Sequence, residues 1–435
     1  MSDTPQVRRS RWRPRWLRPR WLRPWTALAS IVALAGLSSC GDDHDCCYNY
    51  YQNSTPYQVS YGMVGASFGA PGAGNPISIV QTSTVKGGGG PSPSTLMSYL
   101  YTGPGTFAAP AVTTASDNPL YLAVGDLNGD GLTDVVAASF DDGALELFFN
   151  NAQSPGTFNP LLVLSSPGAS QVAVADMNGD GLPDLVSADY NVSLFLQTSP
   201  GTFAAPITLY SGGANWVAVG DLNNDGVPDV ALTDNLGVKL LLHTGAAGTT
   251  TYAAPVTVFT ATANSDYIGA NLIAIADVNG DGFKDLIITD PGPAGGAAPT
   301  VSVLLQDAAH PGTFLAPVAY ATAPGSLAQD IVVKDVNGDG LPDIVIGGNA
   351  AVSVLLQNPA TAGTFLAASN YTVQDANQIV VADVHDSDLV AGLPDIIVST
   401  GPTHPVVNGV ITNHPGVLKS IATAPGTFAA LQDLP

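Results

Sequence analysis

At 435 residues the chain is long enough for one large domain or two to three small ones, and its 47 Gly and 34 Pro suit many short strands joined by tight turns. Only 11% of the residues are charged, yet the formal net charge is −22. Residues 1–39 hold eight Arg and one Asp, which leaves five Lys and no Arg against 34 acids in the remainder, a formal charge of −29. Such a body is a poor nucleic-acid binder, because nothing remains to neutralise phosphates. Glu146 is the only Glu, so the acidity is nearly all Asp, a short oxygen ligand suited to turns and hard cations.

The chain opens on a segment rich in Arg, Trp and Pro (8–23), followed by an apolar run of 13 residues from Trp25 to Leu37. A spanning helix needs roughly 20 apolar residues, so the run reads as the core of an export signal peptide covering 1–39. It ends in Leu37-Ser38-Ser39-Cys40, which resembles the bacterial lipobox. That resemblance implies lipidation of Cys40 and a membrane anchor; an ordinary signal peptide with a chance Cys is the alternative. Gly41 follows the Cys and Asp comes only at Asp42, which favours the outer membrane or cell surface, with the periplasm or secretion as alternatives. Residues 40–56 read as a flexible polar tether. Cys46 and Cys47 lie in it, so no disulfide framework holds the body together.

From residue 57 onward the chain is repetitive. Six acidic loops recur: DLNGDGLTD (126–134), DMNGDGLPD (176–184), DLNNDGVPD (221–229), DVNGDGFKD (277–285), DVNGDGLPD (335–343) and DVHDSDLVAGLPD (383–395). Each follows an apolar strand such as YLAVG (121–125) and runs at once into another such as DVVAAS (134–139). A third strand comes next (ALELFF, VSLFL, VKLLL, VSVLL), and a Gly-Thr-Phe turn opens a fourth. Four strands per period of roughly 50 residues match the blades of a β-propeller. The strands are apolar throughout rather than alternating, which predicts burial on both faces.

The aromatic residue that opens the fourth strand occurs seven times, at Phe107, Phe158, Phe203, Tyr252, Phe314, Phe365 and Phe428. The first precedes every acidic loop, so 57–107 fits a unit whose loop has lost its Asp residues. The expected fold is therefore all-β, a seven-bladed propeller of four-stranded antiparallel blades over 57–435. A six-bladed ring with an N-terminal extension is the alternative.

The order apolar strand, DxNxDGxxD, apolar strand, GTF turn resembles the FG-GAP/VCBS repeats of integrin α-subunit propellers and of bacterial surface proteins, over roughly 100–430. The resemblance implies calcium between the first two strands of several blades. The residues support the same chemistry. Calcium takes six to eight oxygens at about 2.3–2.6 Å. In a nine-residue loop the side chains at positions 1, 3, 5 and 9 and the backbone carbonyl of position 7 can converge. These are Asp126, Asn128, Asp130, Leu132 and Asp134; Asp176, Asn178, Asp180, Leu182 and Asp184; Asp221, Asn223, Asp225, Val227 and Asp229; Asp277, Asn279, Asp281, Phe283 and Asp285; and Asp335, Asn337, Asp339, Leu341 and Asp343. Gly131, at position 6, permits a reversal that a Cβ would hinder. An EF-hand is excluded, since position 12 is a strand residue rather than Glu. The sixth loop carries four extra residues and His385 at position 3; Asp383 and Asp395 remain as anchors, and occupancy there is doubtful.

No HExxH, Walker loop or CxxC pair occurs, and no catalytic residue is assigned. Uniform loops and GTF turns fall at one end of each blade. The loops at the other end differ from blade to blade, which suits recognition. Tyr190, Trp216, Asp234, Tyr267 and His404 are the candidate contacts there. Two function classes follow: a lipid-anchored, calcium-stabilised propeller that binds a protein or glycan, or a polysaccharide-active enzyme or lectin on the same scaffold.

Overall fold

Val, Ile, Leu and Ala fill the segments after the acidic loops, and these form strands with no exposed face. Asp134–Ser139, Asp184–Ala188, Asp229–Asp234, Asp285–Asp290 and Asp343–Gly348 are buried at every position. A strand sandwiched between two neighbouring sheets has this pattern. The computed structural model describes residues 57–59, 62–68, 78–86, 94–103, 106–116, 118–159, 162–188, 190–234, 236–246, 248–260, 272–292, 299–373, 376–384, 393–399, 415–419, 425–429 and 432–433. Among them there is no helix.

Seven antiparallel sheets follow one another along the chain. Blade 2 is Pro119–Gly125, Asp134–Ser139, Ala144–Phe148 and Leu162–Ser165, paired in that order. Blades 3 to 6 repeat it, with first strands Gln171–Ala175, Trp216–Gly220, Ile273–Ala276 and Ala328–Lys334. Blade 7 begins at Ile379–Ala382. Blade 1 is Met63–Ala66, Ser78–Lys86, Ser94–Tyr99 and Ala111–Ala115, with Tyr57–Val59 as a further strand on Ser78–Lys86.

The first strands stand side by side around the axis, and Ile379–Ala382 of blade 7 lies against Met63–Ala66 of blade 1, which closes the ring. The fold is a seven-bladed β-propeller, and the six-bladed alternative falls away because 63–115 forms a blade of its own. The core lies between blades rather than within one. Phe68, Val80 and Leu96 of blade 1 pack on Val135, Ala137 and Phe148 of blade 2. Met63, Ile79 and Tyr99 pack on Val380, Ile397 and Val417 of blade 7. Each Val, Leu, Ile, Phe or Met side chain among them contributes about 1.5–3 kcal/mol on burial. The fourth strands form the outer edge and are largely exposed, as in Leu162–Ser165 and Ile207–Tyr210.

Candidate functional site

Each acidic loop is wound around its first Asp. In blade 2, Asp126 Oδ1 accepts the N–H groups of Gly129 (2.7 Å) and Asp130 (3.1 Å), and Oδ2 accepts that of Gly131 (2.9 Å). Asn128 Oδ1 accepts the Asp130 N–H at 2.9 Å, and Asp130 Oδ1 accepts that of Leu132 at 2.8 Å. Gly131 takes φ 81°, the left-handed region the turn requires. The same bond from position 6 to the first Asp recurs at Gly181, Gly226, Gly282 and Gly340 (2.8–2.9 Å). Asn224, which replaces Gly in the third loop, adopts φ 61°, a region Asn tolerates.

The ninth residue has a second task. Asp134 is fully buried; its Oδ2 accepts the Leu127 N–H at 2.8 Å and its Oδ1 accepts the Asn150 N–H at 2.7 Å. Asp184 serves Met177 and Gln197, Asp229 serves Leu222 and His243, Asp285 serves Val278 and Gln306, and Asp343 serves Val336 and Gln357. One carboxylate thus ties the loop to the end of the third strand. Burial pushes Asp134 up to about 7, and Asp184, Asp229, Asp285 and Asp343 up to about 6. The two N–H donors oppose that rise, and the carboxylates at positions 5 and 1 add to it. Three acids of each loop therefore repel one another, and among the described residues no Lys or Arg pairs with them.

The donor chemistry of these five loops fits a hard cation: carboxylate, amide and carbonyl oxygens with an unbalanced negative charge. Among the described residues no three His, Cys, Asp or Glu side chains close on a single point as a ready-made cage. The carboxylates instead accept the loop's own N–H groups. Each oxygen still has a further lone pair, so those bonds and a cation are compatible. In the sixth loop Asp395 is fully buried and accepts the Val384 N–H at 3.4 Å, Asp383 is exposed, and 385–392 lie outside the described residues. Blade 1 shows what replaces the acids. Phe68 is buried where Leu127 sits in blade 2, and Ser78 Oγ accepts the Tyr101 N–H at 3.2 Å in place of an Asp.

The GTF turn of each next blade closes over the loop of the blade before. Gln197 Nε2 and the Gly201 N–H both donate to Leu127 O at 2.8 Å, and Gln357 Nε2 donates to Val278 O at 2.7 Å. Tyr252 Oη donates to Met177 O at 3.4 Å. Gly363, at φ 72°, approaches so closely that a Cβ would stand 3.1 Å from both Asn279 and Leu305. The acidic loops are thus joints between blades. The spacing of Asp residues gave no sign of this.

At the opposite end, the starts of the first strands surround the mouth of a central cavity of about 360 Å³. Tyr121 and Trp216 meet edge to face with centroids 4.9 Å apart, although they belong to blades 2 and 4. Tyr121 Oη donates to Gln329 O of blade 6 at 3.3 Å, and Trp216 Nε1 donates to Ile273 O of blade 5 at 3.2 Å. Gln171 Oε1 accepts the Val217 N–H (3.2 Å), Asp330 Oδ2 accepts the Ile379 N–H (2.7 Å), and Gln378 Oε1 accepts the Met63 N–H. Trp216 is therefore half-buried at the channel mouth. Asp234 is buried, bonded to Tyr210 Oη (2.9 Å), the Leu236 N–H (2.8 Å) and Lys239 Nζ. Burial opposes its ionisation, but Lys239, the Leu236 N–H and Tyr210 hold its carboxyl below the usual range. Tyr190 is 59% exposed on the rim of blade 3, and Leu236 is 68% exposed on that of blade 4. The structure does not bring Tyr190 and Trp216 together. Tyr267, His404 and Cys40 lie outside the described residues.

The family described as FG-GAP-like repeat matches residues 87–137, 126–187, 176–232, 221–288 and 277–346, together more than half of the chain. No curated protein matches it. Among solved structures, a lectin of Agrocybe aegerita described as recognising non-reducing terminal N-acetylglucosamine is 20% identical, with a TM-score of 0.49 over 73% of this chain and 80% of that one. The V. cholerae biofilm matrix protein Bap1 is 12% identical, with a TM-score of 0.44 over 86% and 90%. A Lactobacillus plantarum protein is 12% identical, with a TM-score of 0.41 over 73% and 96%. These likenesses carry no argument about ligand or activity.

Proposed function

Because this chain belongs to the FG-GAP-like repeat family, we propose that it is a calcium-stapled display propeller, anchored through a lipid on Cys40, whose face opposite the acidic loops binds a protein or glycan. One observation carries the reading. Five loops with all-oxygen donor sets occupy the same joint in successive blades, and among the described residues no Lys or Arg pairs with the charge they gather. A divalent cation there supplies that charge and draws the loop, the third strand and the next blade's turn together. The varied face then stays free for a ligand, with Tyr190 and Leu236 as exposed apolar contacts on adjacent blades. The Arg-rich start, the 13-residue apolar run and Leu37-Ser38-Ser39-Cys40 support export to the outer membrane or cell surface. Calorimetric titration of the chelator-treated chain with Ca2+ tests the loops. About five sites are expected from the five matching loops; no calcium heat above a buffer control refutes the reading. A glycan array in calcium, with Tyr190→Ala as control, tests the face.

A further inference from the structure

The loop of blade 4 differs from its four counterparts in the residue behind it. The third strands of the other blades end in Asn150, Gln197, Gln306 and Gln357, whose N–H groups reach the ninth Asp of the loop. In blade 4 that residue is His243, and its N–H makes the same bond to Asp229 Oδ1 at 2.6 Å. Its side chain has no counterpart elsewhere. The imidazole is 1% exposed, and Nε2 lies 3.1 Å from Thr249 O. A carbonyl only accepts, so Nε2 carries a hydrogen, and in the neutral ring Nδ1 presents a lone pair. Nδ1 is buried without a hydrogen-bond partner and lies 3.8 Å from Asp225 Oδ2. In that form two acceptors face each other across the gap.

The surroundings fix both. Asn223 Nδ2 donates to Asp225 Oδ2 at 3.0 Å and to His243 O at 3.2 Å. Asp225 Oδ1 accepts the Val227 N–H at 2.9 Å, and the Tyr252 ring meets the imidazole edge to face at 5.5 Å. An imidazole anchored through one nitrogen on a carbonyl, with the other left bare, is the arrangement that orients a metal-ligating His. Two donors on one ion of the zinc class, each at about 2.0–2.2 Å, stand at most about 4.2 Å apart. The observed 3.8 Å falls within that span. The four loops at 126, 176, 277 and 335 offer oxygen alone, which suits calcium. A nitrogen donor shifts preference toward borderline ions.

Resting on the reading of the acidic loops as metal sites, we propose that the blade 4 loop and His243 form a mixed nitrogen–oxygen site for a divalent first-row transition ion, with His243 Nδ1 and the Asp225 carboxylate as its protein donors. The test uses the full chain, freed of divalent ions and titrated with Co2+ in saturating Ca2+, as wild type and as His243→Gln. Gln is the residue that blades 3, 5 and 6 already carry, so folding should persist, and circular dichroism in calcium checks it. The wild type is expected to hold one cobalt ion that calcium does not displace, with visible absorption of a nitrogen-ligated centre. His243→Gln should weaken that site at least about tenfold, with calcium still bound at the other four loops in both proteins. Equal cobalt binding by the variant, or no calcium-resistant cobalt in the wild type, overturns the inference. Calcium bound at the other loops in those cases leaves the loop reading intact, whereas no calcium in either protein sinks both. A second readout needs no variant: Zn2+ should shift the His243 Nδ1 resonance in 15N NMR spectra, and an Nδ1 resonance that does not move on Zn2+ addition contradicts the proposal.

Discussion

Asp180 and Asp184 sit in one loop four positions apart, yet they bear on stability in different ways. Asp180 is exposed and its carboxylate serves only its own turn. Asp184 is fully buried and holds the Met177 and Gln197 N–H groups at 2.9 and 2.7 Å. Removing a buried acceptor strands each donor at about 1–3 kcal/mol. In chelator, Asp184→Ala is expected to cost about 2–5 kcal/mol in urea unfolding, and Asp180→Ala under about 0.5 kcal/mol. Equal costs would mean that the ninth residue is only a ligand. Asp330 supplies a pH signature far from the loops. Burial at the channel mouth pushes it from 3.8 up to about 7, against the Ile379 and Ile331 N–H donors. The folded state then holds more protons than the unfolded one between about pH 4 and pH 7, so this group's contribution is full at low pH and is lost as the pH rises through that window. Asp330→Asn should flatten the fall of stability over that range, measured in saturating calcium; an unaltered slope refutes the assignment. The Asp spacing made the five acidic loops legible. It could not reveal the two hydrogen bonds that Asp184 accepts, because the second depends on where the third strand ends in space. Trp216 read as a rim residue after Ser211-Gly212-Gly213, but it is the first residue of an inner strand. A side chain at that position is directed to the channel mouth.

At the scale of elements, the loop and the turn are one joint built from two blades. The GTF marker was legible as the opening of a fourth strand, and its Phe indeed pairs with the end of the third, as in Gln306↔Phe314 and Gln357↔Phe365. Its packing on the preceding blade was not legible, since no local pattern encodes a contact such as Gln357 with Val278, 79 residues apart. Gly363 measures how tight the joint is. Its φ of 72° strains any L side chain, and a Cβ would stand 3.1 Å from Asn279 and Leu305, so those side chains would have to shift. Gly363→Ala is expected to destabilise by about 1–3 kcal/mol, and to weaken calcium binding at the blade 5 loop beneath it. Unchanged stability and affinity would show that the turn does not bear on the loop. Blade 1 lacks the acids yet keeps the geometry, with Ser78 Oγ standing in for the carboxylate. A Ser alone gives no pattern to read, so only the Phe107 marker pointed to that blade.

Among the described residues, the ring closes by side packing and by side-chain bonds between first strands. Gln378 to Met63 bridges blades 7 and 1, and Asp330 to Ile379 bridges blades 6 and 7. Apolar packing at every blade joint supplies most of the stability, and the loops load that frame with clustered carboxylates. Metal saturated to a hundred times its dissociation constant adds about 2.7 kcal/mol per site, so several sites outweigh any single substitution above. The direct test is differential scanning calorimetry of the chain in millimolar Ca2+ and in EGTA. Calcium stapling requires the melting temperature to fall by roughly 10 °C or more in EGTA and to return on adding Ca2+. The same melting temperature in both buffers would contradict it.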